Sequence, residues 1–104
     1  MVDTHLEMRW GDRVKNPGLD DMRAALAELS TPDPEHPDCW LSDADGWSVS
    51  AHEGGSVVLE NVESGEGPWH IANVTQDTVV DLWLALQAGN LDTIRQYEWV
   101  EGYG

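Results

Sequence analysis

Phenylalanine is absent from this 104-residue sequence, cysteine occurs once, and lysine and arginine together number only 5. The lone Cys39 excludes an internal disulfide and fits a reducing compartment. The shortage of cations excludes electrostatic binding to DNA, RNA or anionic lipid, which needs clustered Lys and Arg to neutralise phosphates. No long apolar run exists. The longest, Leu82-Trp83-Leu84-Ala85-Leu86, falls far short of the roughly 20 residues that span a bilayer. Met1-Val2-Asp3-Thr4-His5 shows no basic region leading into an apolar stretch, so no secretory signal is expected and the expected location is cytoplasmic. The length allows one domain, 1–104.

What the chain does have is acid. Asp and Glu number 20, giving a formal net charge of -15. Such charge with little hydrophobicity would prevent folding, but 40% of the residues are apolar and six are tryptophan. Each indole can bury on the order of 200 Å², enough for six of them to anchor a small core. The charge is also uneven. Arg9, Arg13, Lys15 and Arg23 lie in the first quarter and Arg95 near the end, and from Ala24 to Ile94 there is no Lys or Arg at all. Carboxylates inside that segment must be solvated, used as caps, or matched by a partner.

Periodicity sets the expected elements. Leu6, Met8 and Trp10 alternate with His5, Glu7 and Arg9, which predicts a strand over Thr4–Trp10, followed by a loop from Gly11 to Lys15. Asn16-Pro17 reads as a helix cap and first turn. Leu19, Met22, Leu26 and Leu29 then form an apolar stripe, and the proline-rich Ser30–Pro37 segment ends that helix. The middle of the chain reads as an antiparallel meander. Trp40–Ser42 leads into the turn Asp43-Ala44-Asp45-Gly46, and Trp47–His52 and Ser56–Asn61 alternate on either side of Glu53-Gly54-Gly55. A three-residue loop there pairs Ala51 with Val57 and Val49 with Leu59 on one buried face, with Gly55 left-handed. The other face carries Ser48, Ser50, His52, Ser56, Val58 and Glu60. Trp69–Ile71 reads as a last short strand. Thr75 caps a second helix with Val79, Leu82, Trp83 and Leu86 buried and Val80 and Leu84 alongside, ended by Gly89. A third helix is expected over Leu91–Tyr97, before a tail from Trp99 to Gly104. The sum is a two-layer α+β domain: an antiparallel β-meander of four to five strands packed by two to three helices.

Chemistry-bearing motifs are sparse. His5, His36, His52 and His70 show no helical metal-pair spacing, and His36-Pro37-Asp38-Cys39 offers two ligands where zinc needs three or four. Asp43-Ala44-Asp45-Gly46 opens like a calcium loop, but its glycine comes early and Gly54 stands where the closing glutamate belongs. Ser48 and Ser50 near His52 lack a nucleophile elbow. Gly54-Gly55 and Gly65-Glu66-Gly67 have no lysine to make a phosphate cradle. Neither metal nor cofactor is expected, and no catalytic residue is assigned. Trp83 and Trp47 read as core, whereas Trp69 and Trp99 border acidic or flexible segments.

Several stretches together carry a likeness: Asn16-Pro17-Gly18-Leu19-Asp20-Asp21-Met22 before an Ala/Leu helix, Trp40-Leu41-Ser42, Asp45-Gly46-Trp47, Gly55-Ser56-Val57-Val58-Leu59-Glu60-Asn61, and a Leu-Trp helix leading to Gly89-Asn90-Leu91 and Trp99. The sequence resembles the small acidic immunity proteins of bacterial polymorphic toxin systems. That resemblance implies a cytosolic α+β protein that binds one cognate toxin domain and blocks its active site; no enzymatic activity is expected, and the expected state is a monomer or weak dimer. An anionic inhibitor is steered rapidly to a basic nuclease- or deaminase-like cleft. On this reading Asp43, Asp45, Glu53, Glu60, Glu63 and Glu66 supply the field, and Trp69 and His70 the packing contacts. Two rivals are an acidic nucleic-acid mimic that inhibits a DNA-binding enzyme, which would display carboxylates in rows, and a small enzyme, which would hold His52 or His70 in a deep pocket.

Overall fold

The computed structural model describes residues 3–103. Among these residues seven strands form one antiparallel sheet, and three helices pack on one of its faces. In chain order the elements are β1 Thr4–Glu7, β2 Arg13–Lys15, α1 Leu19–Glu28, β3 Asp38–Asp43, β4 Trp47–His52, β5 Val57–Asn61, β6 Trp69–Ile71, α2 Gln76–Gln87, α3 Leu91–Arg95 and β7 Val100–Glu101. The sheet order is β2-β1-β3-β4-β5-β6-β7. The class is α+β as the periodicity implied, with more strands than the four to five expected. The two extra strands, β2 and β7, lie where a loop and a tail were read. Each is two or three residues long, too short to show alternation, and each exists only by pairing with a neighbour.

Strand pairing aligns Leu6, Leu41, Val49, Leu59 and Trp69 in one row across the sheet. This row and its neighbours Cys39, Ala51 and Val57 face the helices and form the core with Met22, Leu26, Leu82, Trp83, Leu86 and Ile94. The β4–β5 hairpin has the expected register, Ala51 opposite Val57 and Val49 opposite Leu59, and Gly55 has a φ of +88°. Burial decided that register, since a shift by one residue would turn Glu60 inward. Trp83 fills the centre of α2's buried face, and its indole N–H donates to the Val49 carbonyl at 2.9 Å. The burial of a large aromatic is thus achieved without an orphaned donor. Burial also pushes the Cys39 thiol up to about 12, so it stays protonated and unreactive at neutral pH.

Several expectations fail locally. β1 stops at Glu7 because the chain turns over Arg9–Trp10, with the Gly11 N–H donating to the Met8 carbonyl at 2.9 Å. Arg9 is therefore buried and Trp10 is exposed, the reverse of the alternation. The first helix starts after Gly18. Asn16 takes a left-handed conformation and its side chain accepts from the Thr4 N–H at 2.8 Å, so it serves β1. The Asp21 carboxylate instead accepts from the Gly18 N–H at 2.9 Å. Leu19 and Leu84 are exposed at the helix margins. α2 begins as read, with the Thr75 hydroxyl accepting from the Thr78 N–H. α3 ends at Arg95, two residues early.

The second face of the sheet carries the row Glu7, Trp40, Ser50, Val58, His70 and Val100, opposite the row that the helices cover. Ser48 and Val58 lie on this polar face yet are buried. In a seven-stranded sheet, central short side chains are covered by their cross-strand neighbours.

Candidate partner-binding site

Four of the eight residues singled out from the sequence gather at one end of the sheet. The β3–β4 turn is closed by Asp43, whose Oδ1 accepts from the Asp45 N–H at 3.0 Å and the Trp47 N–H at 2.9 Å. Asn61, buried at the end of β5, joins this turn to the following loop. Its side-chain N–H donates to the Asp45 carbonyl at 3.1 Å, and its Oδ1 accepts from the N–H groups of Glu63 and Ser64, each at 2.9 Å. Gly46, at φ +93°, allows the close approach, because a Cβ there would stand 2.6 Å from Asn61 Oδ1 and 2.8 Å from Glu63 Cβ.

Asp43, Asp45 and Glu63 are thereby held together, and Glu66 follows in the same loop, accepting from the Ser64 hydroxyl at 3.3 Å. Burial pushes the Asp43 carboxyl above its ordinary value, and the nearby charges of Asp45 and Glu63 add to that rise. The two backbone hydrogen bonds oppose it. Asp45, Glu63 and Glu66 are exposed.

Beside this acidic end runs a groove of about 420 Å³ lined by Leu59, Glu66, Trp69, Arg95, Tyr97 and Trp99. Leu59 and Trp69 come from facing positions of β5 and β6. Tyr97 and Trp99 come from the segment after α3, where the Trp99 indole N–H donates to the Ile94 carbonyl at 2.8 Å and fixes the ring. The three aromatic residues are half-buried. The Arg95 guanidinium lies 5.5 Å over the Trp47 ring. Arg95 and Tyr97 were not among the sequence candidates. The available signal was the single cation of the last two-thirds of the chain falling next to two aromatics.

The remaining candidates lie elsewhere. Trp69 and His70 are successive strand residues, so their side chains point to opposite faces, and only Trp69 reaches the groove. His70 Nδ1 is 2.9 Å from the Gly102 carbonyl on the second face. Glu60 shares that face and accepts from the Tyr103 hydroxyl at 2.8 Å. Glu53 sits at the opposite end of the hairpin and is occupied internally. It accepts from the Asp33 N–H at 2.9 and 3.1 Å and pairs with Arg9 at 3.2 Å.

His52 lines a second cavity of about 220 Å³ at that far end, with Leu29, Glu53, Ser56 and Val74 among its neighbours. Among the described residues no group of three or more His, Cys, Asp or Glu converges to hold a metal ion, and no helix is long and apolar enough to cross a membrane.

No family model, curated protein or solved structure matches the chain.

Proposed function

We propose that this chain is a protein-binding inhibitor, in the manner of the immunity proteins it resembles, and that it engages a basic toxin domain through the acidic end of the sheet. The observation that carries the reading is the arrangement of Asp45, Glu63 and Glu66. Asn61 ties the backbone of Asp45 and Glu63 through its side chain and that of Glu66 through its own N–H, so the three exposed carboxylates project from one end of the sheet, in a segment without a single Lys or Arg, beside an aromatic groove. The charge provides rate and partner choice, since a focused negative field raises the association rate with a basic cleft. The rings provide affinity, because buried aromatic anchors dominate binding energy at protein interfaces.

The carboxylates lie in one turn and one loop, not in rows along an element, which supports the protein-inhibitor reading over mimicry of a nucleic-acid backbone. The protein works without chemistry of its own and acts in the cytosol, where a buried reduced cysteine is at home. The test is affinity capture from the native host followed by reconstitution with the purified partner. The expected partner is a basic domain that forms a stoichiometric complex weakened by salt and loses its activity in that complex. A partner of acidic charge, or a complex indifferent to salt, would contradict the reading.

A further inference from the structure

We propose that the aromatic groove is a receptor for a single lysine or arginine side chain presented by the basic partner; this rests on the reading above. The groove offers three half-buried rings, Trp69, Tyr97 and Trp99, and two charged side chains, the carboxylate of Glu66 and the guanidinium of Arg95, the latter turned onto Trp47. A cation is attracted to the faces of such rings by their quadrupole, and a carboxylate at the rim supplies a counter-charge. The chain as a whole carries a charge of -15, so a cation is drawn to this mouth and an anion repelled from it. The volume, about 420 Å³, lies within the range of small-ligand sites, roughly 300–1,000 Å³.

The protein already shows the contact once. Arg95, which lines the groove, holds its guanidinium over the face of Trp47 at 5.5 Å. That position gives Arg95 a diagnostic role, because its charge opposes an incoming cation and favours an incoming anion.

The probe is the acetylated, amidated tripeptide Gly-Arg-Gly, compared with the same peptide carrying uncharged citrulline. Binding is followed by the indole N–H resonances of the six tryptophans. The arginine peptide is expected to shift Trp69 and Trp99 and leave the distant, exposed Trp10 unmoved. E66Q, an exposed change that leaves the fold intact, is expected to weaken it roughly two- to fivefold, and R95M to strengthen it by a similar factor. Equal shifts with the citrulline peptide, or weakening by R95M, would overturn the proposal. If a basic partner is slowed by charge reversal at Asp45 and Glu63 but is indifferent to E66Q and R95M, the groove falls and the partner reading stands. If no basic partner binds while the arginine peptide still shifts Trp69 and Trp99, the groove stands and the partner reading falls.

Discussion

Arg9 is the residue on which composition misleads most. In the sequence it is one of a few cations on the polar side of an alternating strand. In the fold its side chain is fully buried, and each of its N–H groups has an acceptor. Nε and Nη2 donate to the His36 carbonyl at 2.9 and 2.7 Å, Nη1 to the Glu28 and Thr31 carbonyls, and Nη2 also to Glu53. It thus ties the end of α1, the proline-rich loop and the β4–β5 turn to the turn that follows β1. None of this was legible, because the acceptors, three backbone carbonyls and the Glu53 carboxylate, are distant in sequence. Removing a partner from a buried charged network typically costs about 3–5 kcal/mol. R9M is expected to lose that much in urea unfolding, whereas R13M, which breaks the exposed pair with Glu7, should lose less than about 1 kcal/mol. Equal effects would mean that Arg9 is dispensable.

Asp43 carries a different signature. Its folded carboxyl titrates above the ordinary value of 3.8, so the folded state favours its protonated form. The corresponding stability is fully present below the unfolded pKa and is lost as pH rises through the raised folded one. D43N keeps the Oδ1 acceptor and cannot ionise. It is expected to be more stable than the parent at pH near 7 and to lose that advantage as pH falls below about 3.8, as urea midpoints at the two pH values would show. An asparagine variant less stable at neutral pH would mean that the ionised hydrogen bonds outweigh burial and repulsion.

Elements were readable where burial acts on several residues at once. The stripe of α2, the Thr75 cap and the β4–β5 register all appear in the structure because a single displacement would expose an entire face. Helix α1 was found, but its start was displaced by two residues. Asn16 and Gly18 both suit a cap, and the choice was made by β1, which takes the Asn16 side chain. Strands β2 and β7 were invisible because an edge strand of two or three residues owes its form to its neighbour. Of the eight residues singled out from the sequence, the structure brings Asp43, Asp45, Glu63 and Glu66 to one end and sets Trp69 in the adjoining groove. The sequence could not show that Asn61 unites the turn and loop, that Glu53 belongs to another end, or that Glu60 and His70 face the other side of the sheet.

The β4–β5 loop tests this view of register. Gly54 and Gly55 both have positive φ, but only at Gly55 would a Cβ meet backbone, the Val74 carbonyl oxygen at 3.1 Å. An alanine in this conformation costs roughly 1–2 kcal/mol. G54A is expected to show that loss and G55A a larger one in thermal or urea unfolding. Equal losses would mean that the Val74 segment yields freely.

For the whole molecule, the excess of charge is the dominant fact. A small domain needs a net charge of magnitude about 2–8 for solubility, and the -15 present here adds repulsion among its own carboxylates. The fold concentrates part of that charge at one end by hydrogen bonds made to the backbone of the acidic residues, leaving Asp45, Glu63 and Glu66 solvent-facing. It also keeps the sheet's edges short, with Lys15 on β2 and Glu101 on β7, which discourages edge-to-edge pairing. The proposed engagement of a basic partner rests on this arrangement. The most direct measurement is stopped-flow association of the purified basic partner with the parent chain and with the combined Asp45→Lys, Glu63→Lys and Glu66→Lys variant, over a series of salt concentrations. The expected result is an on-rate lowered by about tenfold or more at low salt, a flattened salt dependence, and a smaller change in dissociation. An unchanged on-rate with an unchanged salt dependence would contradict the assignment of this acidic end as the binding surface.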